Sequence, residues 1–225
     1  MIDSFKRAIK RVSSAVAKTT VSKYVQKDRY YTFKGLQLKV FTGVFHPGFF
    51  FSSKLLVKWL LTQSINRKRI LELGAGSGLL SLIAAKNGAI VSASDVNPAA
   101  IENVRFNAQR NNVSITLLHS DLFDDIPATQ VFDIIIINPP YYPKNPVNDY
   151  EKAWYCGEDH SYFKKLFSQL KERSDKEHYY MILADVCDVN KIKHIASTNS
   201  FELKEIYKKR NFWENNFIFS IDRIT

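Results

Sequence analysis

The sequence predicts an α/β fold in which a central, mostly parallel sheet carries helices on both faces. From residue 69 onward, short β-like runs alternate with helical patterns, as is typical of parallel strands joined by crossover helices. The run 132–137 (FDIIII) is so apolar that we expect it at the centre of the sheet. Two later β-like runs, 202–209 and 212–222, are separated only by a short polar break, which predicts an antiparallel pair that finishes the sheet.

The predicted elements follow one another without repeats or a low-complexity linker. Asn97 is a suitable N-cap after the second strand, because its side chain can accept a backbone N–H and Pro98 needs no donor at the first helical position. The remaining predicted strands are 69–73, 89–94, 114–118 and 179–184, and the predicted helices are 79–86, 98–111, 159–173 and 188–198.

Length and composition favour one compact domain. The chain has 225 residues, of which 45% are hydrophobic, as in ordinary globular proteins. No run approaches the roughly 20 apolar residues that span a bilayer, and no secretory leader is visible. Cys156 and Cys187 lack metal-like spacing and fit reduced thiols. We therefore expect a cytoplasmic protein with no membrane span and no metal site.

The net charge of +10 is concentrated near the N-terminus, where residues 1–34 hold nine lysines and arginines against two aspartates. Apolar residues at spacings of three and four predict an amphipathic helix in this segment. Such a helix can bind RNA, an acidic protein or a membrane surface, or it can simply pack on the domain. We predict a basic arm over residues 1–30 and a single domain over residues 31–225. The apolar stripe consists of Ile2, Phe5, Ile9, Val12 and Val16.

A glycine turn follows the first strand of the alternating series. Glu72, Gly74, Ala75, Gly76 and Gly78 stand in the sequence ELGAGSG, which leads directly into a predicted helix. Glycines permit positive φ and let the backbone approach a ligand closely. The spacing is GxGxG, so the dinucleotide fingerprint GxGxxG is not met. The turn indicates a nucleoside-containing cofactor without identifying it.

Acidic residues follow the next two strands. Asp95 and Val96 end the second strand, and Asp95 stands 21 residues after Gly74, where a carboxylate can accept the hydroxyls of a ribose. Asp121 and Leu122 follow the third strand, where a carboxylate can accept from an adenine amine. Because ligands of open α/β sheets bind at the carboxyl ends of the strands, we expect these residues to share one crevice.

The sequence Asn138-Pro139-Pro140-Tyr141 directly follows the most apolar strand. A conjugated nitrogen is a poor nucleophile, because its lone pair is delocalised. Asn138 Oδ1 and the Pro139 carbonyl can each accept one N–H of such a group, which orients it and favours the charge that develops during transfer. The prolines hold these acceptors stiffly, and Tyr141 offers a face for stacking. The motif therefore predicts chemistry on a planar nitrogen.

These features resemble the class I, Rossmann-like methyltransferases, which use S-adenosylmethionine. Residues 33–167 are similar to the release-factor glutamine methyltransferases and to related N-methyltransferases of nucleic acids. The segment 153–159 (AWYCGED) resembles the segment downstream of NPPY in the release-factor enzymes, and 44–47 (VFHP) resembles their proline segment that closes over cofactor and substrate. The resemblance implies S-adenosylmethionine as the cofactor.

The resemblance also implies roles for individual residues. The glycines would cradle the methionine part of the cofactor, Asp95 would hold the ribose, and Asp121 with Leu122 would contact the adenine. Phe45 and His46 would contact the substrate, although His46 also fits a purely local role in its loop. The expected catalytic residues are Asn138, Pro139, Pro140 and Tyr141, and the expected cofactor-binding residues are Glu72, Gly74, Ala75, Gly76, Gly78, Asp95, Val96, Asp121, Leu122 and Asn138.

The sequence leaves two classes of acceptor open. One is a glutamine side-chain amide in a protein, and the other is an exocyclic amine of a base in RNA, with DNA adenine as a further alternative. The basic arm favours RNA or a ribosome-associated target, because phosphate contacts provide sequence-independent affinity. A nicotinamide-dependent oxidoreductase would share the glycine turn and Asp95, but it gives no reason for the NPPY sequence. We therefore predict an S-adenosylmethionine-dependent N-methyltransferase.

Overall fold

A computed structural model of the chain describes residues 27–48, 51–211 and 214–224. The amphipathic stripe and nearly all of the predicted basic arm lie outside these residues. The strands are β1 Arg29–Phe33, β2 Leu36–Val40, β3 Arg69–Leu73, β4 Ile90–Asp95, β5 Ile115–His119, β6 Ile134–Ile137, β7 His178–Ala184, β8 Phe201–Arg210 and β9 Asn215–Arg223. The helices are α1 Phe51–Leu60, α2 Leu79–Lys86, α3 Pro98–Arg110, α4 Ser161–Leu170 and α5 Val189–Ser197, with a short 3-10 helix over Glu151–Ala153.

Seven strands form the central sheet in the order β5-β4-β3-β6-β7-β9-β8. The five strands from β5 to β7 run parallel to one another. β9 pairs antiparallel with both β7 and β8, so the C-terminal strands form the antiparallel pair that the sequence predicts. The predicted fold class, a mostly parallel sheet that ends in an antiparallel pair, is confirmed.

The apolar sequence of β6 explains its central position. All four of its isoleucines are buried, and successive residues point to opposite faces of a strand. Ile134 and Ile136 pack into the cluster formed with α1 and α2, whereas Ile135 and Ile137 pack into the cluster formed with α4 and α5. The strand therefore joins the two halves of the hydrophobic core.

Three elements that precede residue 69 have no counterpart among the sequence predictions. β1 and β2 form a separate antiparallel hairpin whose two turn residues, Lys34 and Gly35, both adopt positive φ, 47° and 77°. α1 packs its buried apolar residues into the same core cluster as α2. β1 begins at Arg29, so the boundary predicted near residue 30 falls inside this strand.

Most predicted boundaries differ from the observed ones by a few residues. The predicted strand 132–137 is shorter in the structure and begins at Ile134. Asp133 directly before it still contacts β3, because its carboxylate accepts the Arg69 N–H at 2.7 Å. The N-cap at Asn97 is confirmed, since its side chain accepts the Ala99 N–H at 3.0 Å. In the described part of the chain, no helix is long and apolar enough to cross a membrane.

Candidate active site

A crevice with a volume of about 420 Å³ lies at the carboxyl ends of β3, β4, β5 and β6. This volume is in the range of small-molecule and cofactor sites. Four segments at these strand ends contribute to its walls, namely the glycine turn after β3, the end of β4, the loop after β5 and the proline segment after β6. Every residue predicted for the site lines this crevice, with the exceptions of Gly78 and His46.

The glycine turn offers the crevice a surface without side chains. Gly74 and Gly76 have φ of 79° and 51°, and a Cβ added to Gly74 would meet no atom within 4 Å, so that position opens into free space. The N–H groups of Gly74 and Ala75 both donate to the Ser94 carbonyl, at 2.9 and 2.8 Å. These two amides therefore link β3 to β4. At these positions the turn lets a ligand approach the backbone closely, but its N–H groups are already bonded.

Gly78 has a packing role that differs from the cradle expected for it. It has φ of 77° at the N-cap of α2, and a Cβ at this position would lie 2.9 Å from Cγ2 of Val104 in α3. Gly78 does not line the crevice. The missing side chain lets α3 approach the start of α2. Close packing of neighbouring elements is also the role of the third glycine in related nucleotide-binding turns.

Glu72 is a buried carboxyl group at the wall of the crevice. Its Oε2 accepts the N–H of Ser81 at 2.8 Å and the hydroxyl of the same serine at 2.5 Å. Burial raises the pKa of Glu72 to about 7, against the lowering effect of the bonds from Ser81. The group is therefore poised between its neutral and ionised forms at physiological pH.

Asp95 connects the end of β4 to the glycine turn. Its Oδ2 accepts the Gly76 N–H at 2.8 Å, and its Oδ1 accepts the Asn97 N–H at 2.9 Å. Burial raises the pKa of Asp95, and the backbone N–H bonds oppose that shift. Each carboxylate oxygen can accept a further hydrogen bond, so Asp95 has the capacity to bind vicinal hydroxyls while it fixes the turn.

Lys165 in α4 contributes to the crevice wall and was not predicted from the sequence. Its ammonium group lies 3.0 Å from Asp121 Oδ2 and 2.6 Å from Asp124 Oδ2. Gln169, one turn later, donates to Asp124 Oδ1 at 2.6 Å and accepts the Phe123 N–H at 3.1 Å. One face of α4 therefore fixes the loop after β5, from which Asp121 faces the crevice.

Asn138 is held by a hydroxyl group on each side. Its Nδ2 donates to Ser53 Oγ in α1, and its Oδ1 accepts from the Tyr141 hydroxyl, both at 3.3 Å. Burial raises the pKa of Tyr141 well above its usual value, so this hydroxyl remains a donor. Since the amide N–H₂ faces Ser53, the carbonyl oxygen of Asn138 faces the Tyr141 side of the crevice. Ser53 was not predicted from the sequence.

One end of the crevice is aromatic, and we call it the acceptor end: Phe45, Tyr141, Tyr142, Trp154 and Tyr155. The rings of Phe45 and Trp154 lie 5.2 Å apart between centroids. A Cβ added to Gly76 would lie 3.3 Å from Cβ of Phe45, so Phe45 also covers the glycine turn. Phe45 thus lies between the glycine turn and the aromatic residues around the proline segment.

His46 lies outside the crevice, although it was expected to contact the substrate. It is buried, its ring meets the Tyr31 ring edge-on at 5.6 Å, and its Nδ1 accepts the Gly48 N–H at 3.1 Å. Burial lowers the pKa of His46, so the ring is neutral near pH 7. The structure gives this histidine a local role in the loop that carries Phe45.

The parallel sheet, the glycine turn after β3 and the row of polar residues along the carboxyl ends of β4, β5 and β6 define a class I methyltransferase fold. The chain belongs to the methyltransferase small domain family, which it matches over residues 35–152. The family uses S-adenosylmethionine, in agreement with the cofactor predicted from the sequence.

The relatives that this chain resembles include methyltransferases of proteins and of tRNA. A protein of Methanocaldococcus jannaschii named as a protein N5-glutamine methyltransferase is 42% identical over 112 residues, which cover 49% of this chain and 53% of the relative. The tRNA1(Val) (adenine(37)-N6)-methyltransferase of Shewanella loihica is 38% identical over 128 residues, 52% of this chain and 51% of the relative. The chain thus spans about half the length of these relatives.

A solved structure with the same fold is that of the E. cuniculi Mtq2–Trm112 complex, which methylates the translation termination factor eRF1. It superposes with a TM-score of 0.61 and 16% identity, and the match covers 80% of this chain and 99% of that one. At this level of identity the likeness concerns the fold.

Proposed function

We propose that this chain transfers a methyl group from S-adenosylmethionine to a planar nitrogen, either a glutamine amide or an exocyclic amine of a base. The observation that carries the proposal is the position of Asn138, whose carbonyl oxygen faces the aromatic acceptor end of the crevice. Family membership and the two branches of relatives support the same reaction class.

The crevice fits the cofactor by shape and by its polar groups. The open surface at Gly74 leaves room for the methionine part, Asp95 can accept the ribose hydroxyls, and Asp121 can accept from the adenine amine. The rings of Phe45 and Trp154, 5.2 Å apart between centroids, can cover one side of the crevice. When bound, S-adenosylmethionine supplies the methyl group from its sulfonium centre.

The acceptor nitrogen is oriented by two carbonyl oxygens. Asn138 Oδ1 and the Pro139 carbonyl can accept its two N–H groups, and Tyr141 with the neighbouring rings can stack against its planar group. As the methyl group arrives, positive charge grows on the nitrogen, and the two oxygens stabilise it. No side chain needs to remove the proton before transfer, because the methylated nitrogen is much more acidic and releases it afterwards.

The location and the N-terminal segment belong to the same proposal. We infer a cytoplasmic enzyme, which the two buried free cysteines support. The basic arm over residues 1–30 is proposed to provide affinity for ribosome-associated protein or RNA, since nine of the 32 lysines and arginines lie in residues 1–34.

Replacement of Asn138 tests the central step. The purified chain is incubated with labelled cofactor and cell fractions, which are then treated separately with protease and nuclease. We expect Asn138→Ala to keep binding the cofactor, through the glycine turn and Asp95, but to lose roughly 100-fold or more of methyl transfer. Asn190→Ala, which changes an exposed residue of α5, serves as the control and should keep full activity. Equal transfer by the two variants would refute the role of Asn138.

A further inference from the structure

The β8–β9 hairpin places three consecutive cations beside the crevice. We propose that Lys208, Lys209 and Arg210, here called the hairpin cations, bind the phosphates of a single-stranded RNA whose base enters the acceptor end. This inference rests on the proposed function and names the substrate class for it.

The topology brings the hairpin cations to the crevice. β9 is antiparallel to β7, so its start lies at the carboxyl end of β7, with Asn216 opposite Ala184. Arg210 at the end of β8 pairs with Asn215 at the start of β9. The preceding residue, Glu214, lines the crevice itself. The cations therefore lie on the same edge of the sheet as the crevice.

Hydrogen bonds hold the hairpin in this position. Asp185, directly after β7, accepts from the backbone N–H and the side-chain amide of Asn215 at 3.1 and 3.0 Å, and its own N–H donates to the Asn215 carbonyl. Across the turn, the Asn211 N–H donates to the Glu214 carbonyl and Asn211 Oδ1 accepts the Glu214 N–H. A phosphate bound by the hairpin cations would thus lie at a fixed distance from the crevice.

The charge of the hairpin cations is not neutralised by described carboxylates. All three are exposed, and none of them forms an ion pair within the part of the chain that the structure describes. By contrast, Lys204 in the same strand pairs with both Glu202 and Asp222, at 2.7 and 3.3 Å. The excess positive charge of β8 is therefore confined to its crevice end.

The carboxylates nearest to the turn bind amides instead of cations. Asp185 accepts from Asn215, and Glu214 Oε1 accepts from the Asn216 side chain at 3.3 Å. Lys208 also lies over the Phe217 ring, 5.1 Å from its centroid, and this contact leaves its ammonium group exposed to an anion. On the neighbouring helix α5, Lys193 lies 5.3 Å from the centroid of the Phe219 ring on the same face of the sheet.

Phosphate and stacked base together distinguish RNA from an acidic protein. The acceptor end is lined by tyrosine, phenylalanine and tryptophan rings, which is how proteins bind the bases of single strands. Each nucleotide of an RNA strand carries a phosphate and a planar base, so the strand can bind the hairpin cations and the acceptor end at the same time. An acidic peptide would satisfy the cations but would use little of the aromatic surface.

Removal of the three charges tests the proposal. The binding of a fluorescein-labelled, 12-nucleotide single-stranded RNA is measured by anisotropy between 50 and 200 mM salt, for the wild type and for K208Q/K209Q/R210Q. We expect the slope of log K against log salt to become less steep by about 1.4 to 2 in the variant, because each phosphate contact on a single strand contributes roughly 0.7. The lower figure counts Lys208 and Arg210, which share one face of β8, and the higher figure includes Lys209 as well. The affinity for the cofactor should not change.

A matched control removes three charges from the opposite edge of the sheet. Lys68 precedes β3, and Lys171 and Lys176 precede β7, and all three are exposed. K68Q/K171Q/K176Q should keep the wild-type salt slope. Equal slopes for the two triple variants would overturn the proposal, whether both slopes stay at the wild-type value or both become less steep.

The labelled-fraction assay separates this inference from the proposed function. Transfer to a nuclease-sensitive acceptor that falls in K208Q/K209Q/R210Q alone supports both. Transfer to a protease-sensitive acceptor that depends on the hairpin cations would identify an acidic protein partner and overturn the RNA assignment, with the methyltransferase reaction intact. If no fraction accepts the label, the proposed function fails, whereas the salt slopes still report on the RNA surface.

Discussion

Glu72 occupies a position in which a carboxyl group reduces the stability of the fold as it ionises. It is buried beneath the glycine turn, and its hydrogen bonds come from Ser81 alone among the residues that the structure describes. Burial raises its pKa to about 7 from an ordinary value of 4.5. Because the folded state binds the proton more tightly than the unfolded state, ionisation of Glu72 opposes folding.

This predicts a specific dependence of stability on pH. The carboxyl group imposes no penalty below about pH 4.5, the penalty grows as the pH rises towards 7, and it is complete above that value. The size of the shift corresponds to a loss on the order of 3 kcal/mol. Glu72→Gln keeps an oxygen for Ser81 but cannot ionise. In urea unfolding at pH 5 and pH 8, we expect the free energy of unfolding to fall more in the wild type than in the variant.

The same comparison contains its own control. Asp95 is buried as well and is present in both proteins, so the part of its contribution that does not depend on the charge of Glu72 cancels when the two pH differences are subtracted. Parallel pH profiles for wild type and Glu72→Gln would show that Glu72 does not carry the shift.

Individual site residues differ in how far the sequence could reveal them. Gly74, Gly76, Asp95, Asp121 and Asn138 lie at the ends of strands or directly after them. In a parallel sheet those ends converge on one edge, so their position along the chain predicted their meeting. Lys165 lies in the middle of an amphipathic helix and Ser53 in an unpredicted one, where a cation or a hydroxyl is usually solvated. Nothing in their spacing distinguished them.

At the level of elements, an asparagine stripe on α3 binds the edge of β2. Asn107 Oδ1 accepts the Lys39 N–H at 2.8 Å, and its Nδ2 donates to the Lys39 carbonyl at 2.9 Å. Asn103 accepts the Phe41 N–H at 3.1 Å, and Asn111 accepts the Gln37 N–H at 3.2 Å. These residues recur every four positions, so one helix face pairs with alternate residues of the strand, much as a neighbouring strand would.

We therefore expect Asn107→Ala to weaken the attachment of the β1–β2 hairpin. Asn107 is fully buried, and its loss removes the acceptor of the Lys39 N–H, which costs about 1–3 kcal/mol. The Lys39 carbonyl keeps the bond from the Asn103 side chain at 2.6 Å. Asn111→Ala is the matched control, because its bonds to Gln37 are exposed to water. Urea unfolding measures the loss of each. A loss in Asn111→Ala as large as that in Asn107→Ala would contradict this account.

The elements themselves were predictable where their pattern was strong. β3, β4 and β6 with the helices between them show clear apolar runs and periodicity, and Pro98 with Asn97 marks the start of α3. The β1–β2 hairpin turns through Lys34-Gly35, which lacks the usual Asn-Gly or Asp-Gly signal. Its attachment to α3 relies on asparagines, which in a single sequence look the same as a polar helix face in solvent.

For the whole molecule, one sheet joins two core clusters, and the crevice lies along one edge of that sheet. Successive residues of β3, β6 and β7 belong to opposite clusters, for example Ile70 and Leu71, or Met181 and Ile182. The two clusters cannot unfold independently while they share these strands, so we expect a single unfolding transition. A ligand that binds segments after four of the strands should stabilise that whole unit.

This coupling gives a prediction about the cofactor. At a concentration 100 times its dissociation constant, a ligand that binds only the folded state stabilises it by about 2.7 kcal/mol. For a chain of this size, that corresponds to a rise in melting temperature of roughly 5–10 °C. S-adenosylmethionine should produce this rise in differential scanning calorimetry, as one shifted transition. A nicotinamide dinucleotide at the same concentration should leave the melting temperature unchanged, because the GxGxG turn does not match the dinucleotide fingerprint. A shift with the dinucleotide and none with S-adenosylmethionine would instead favour an oxidoreductase.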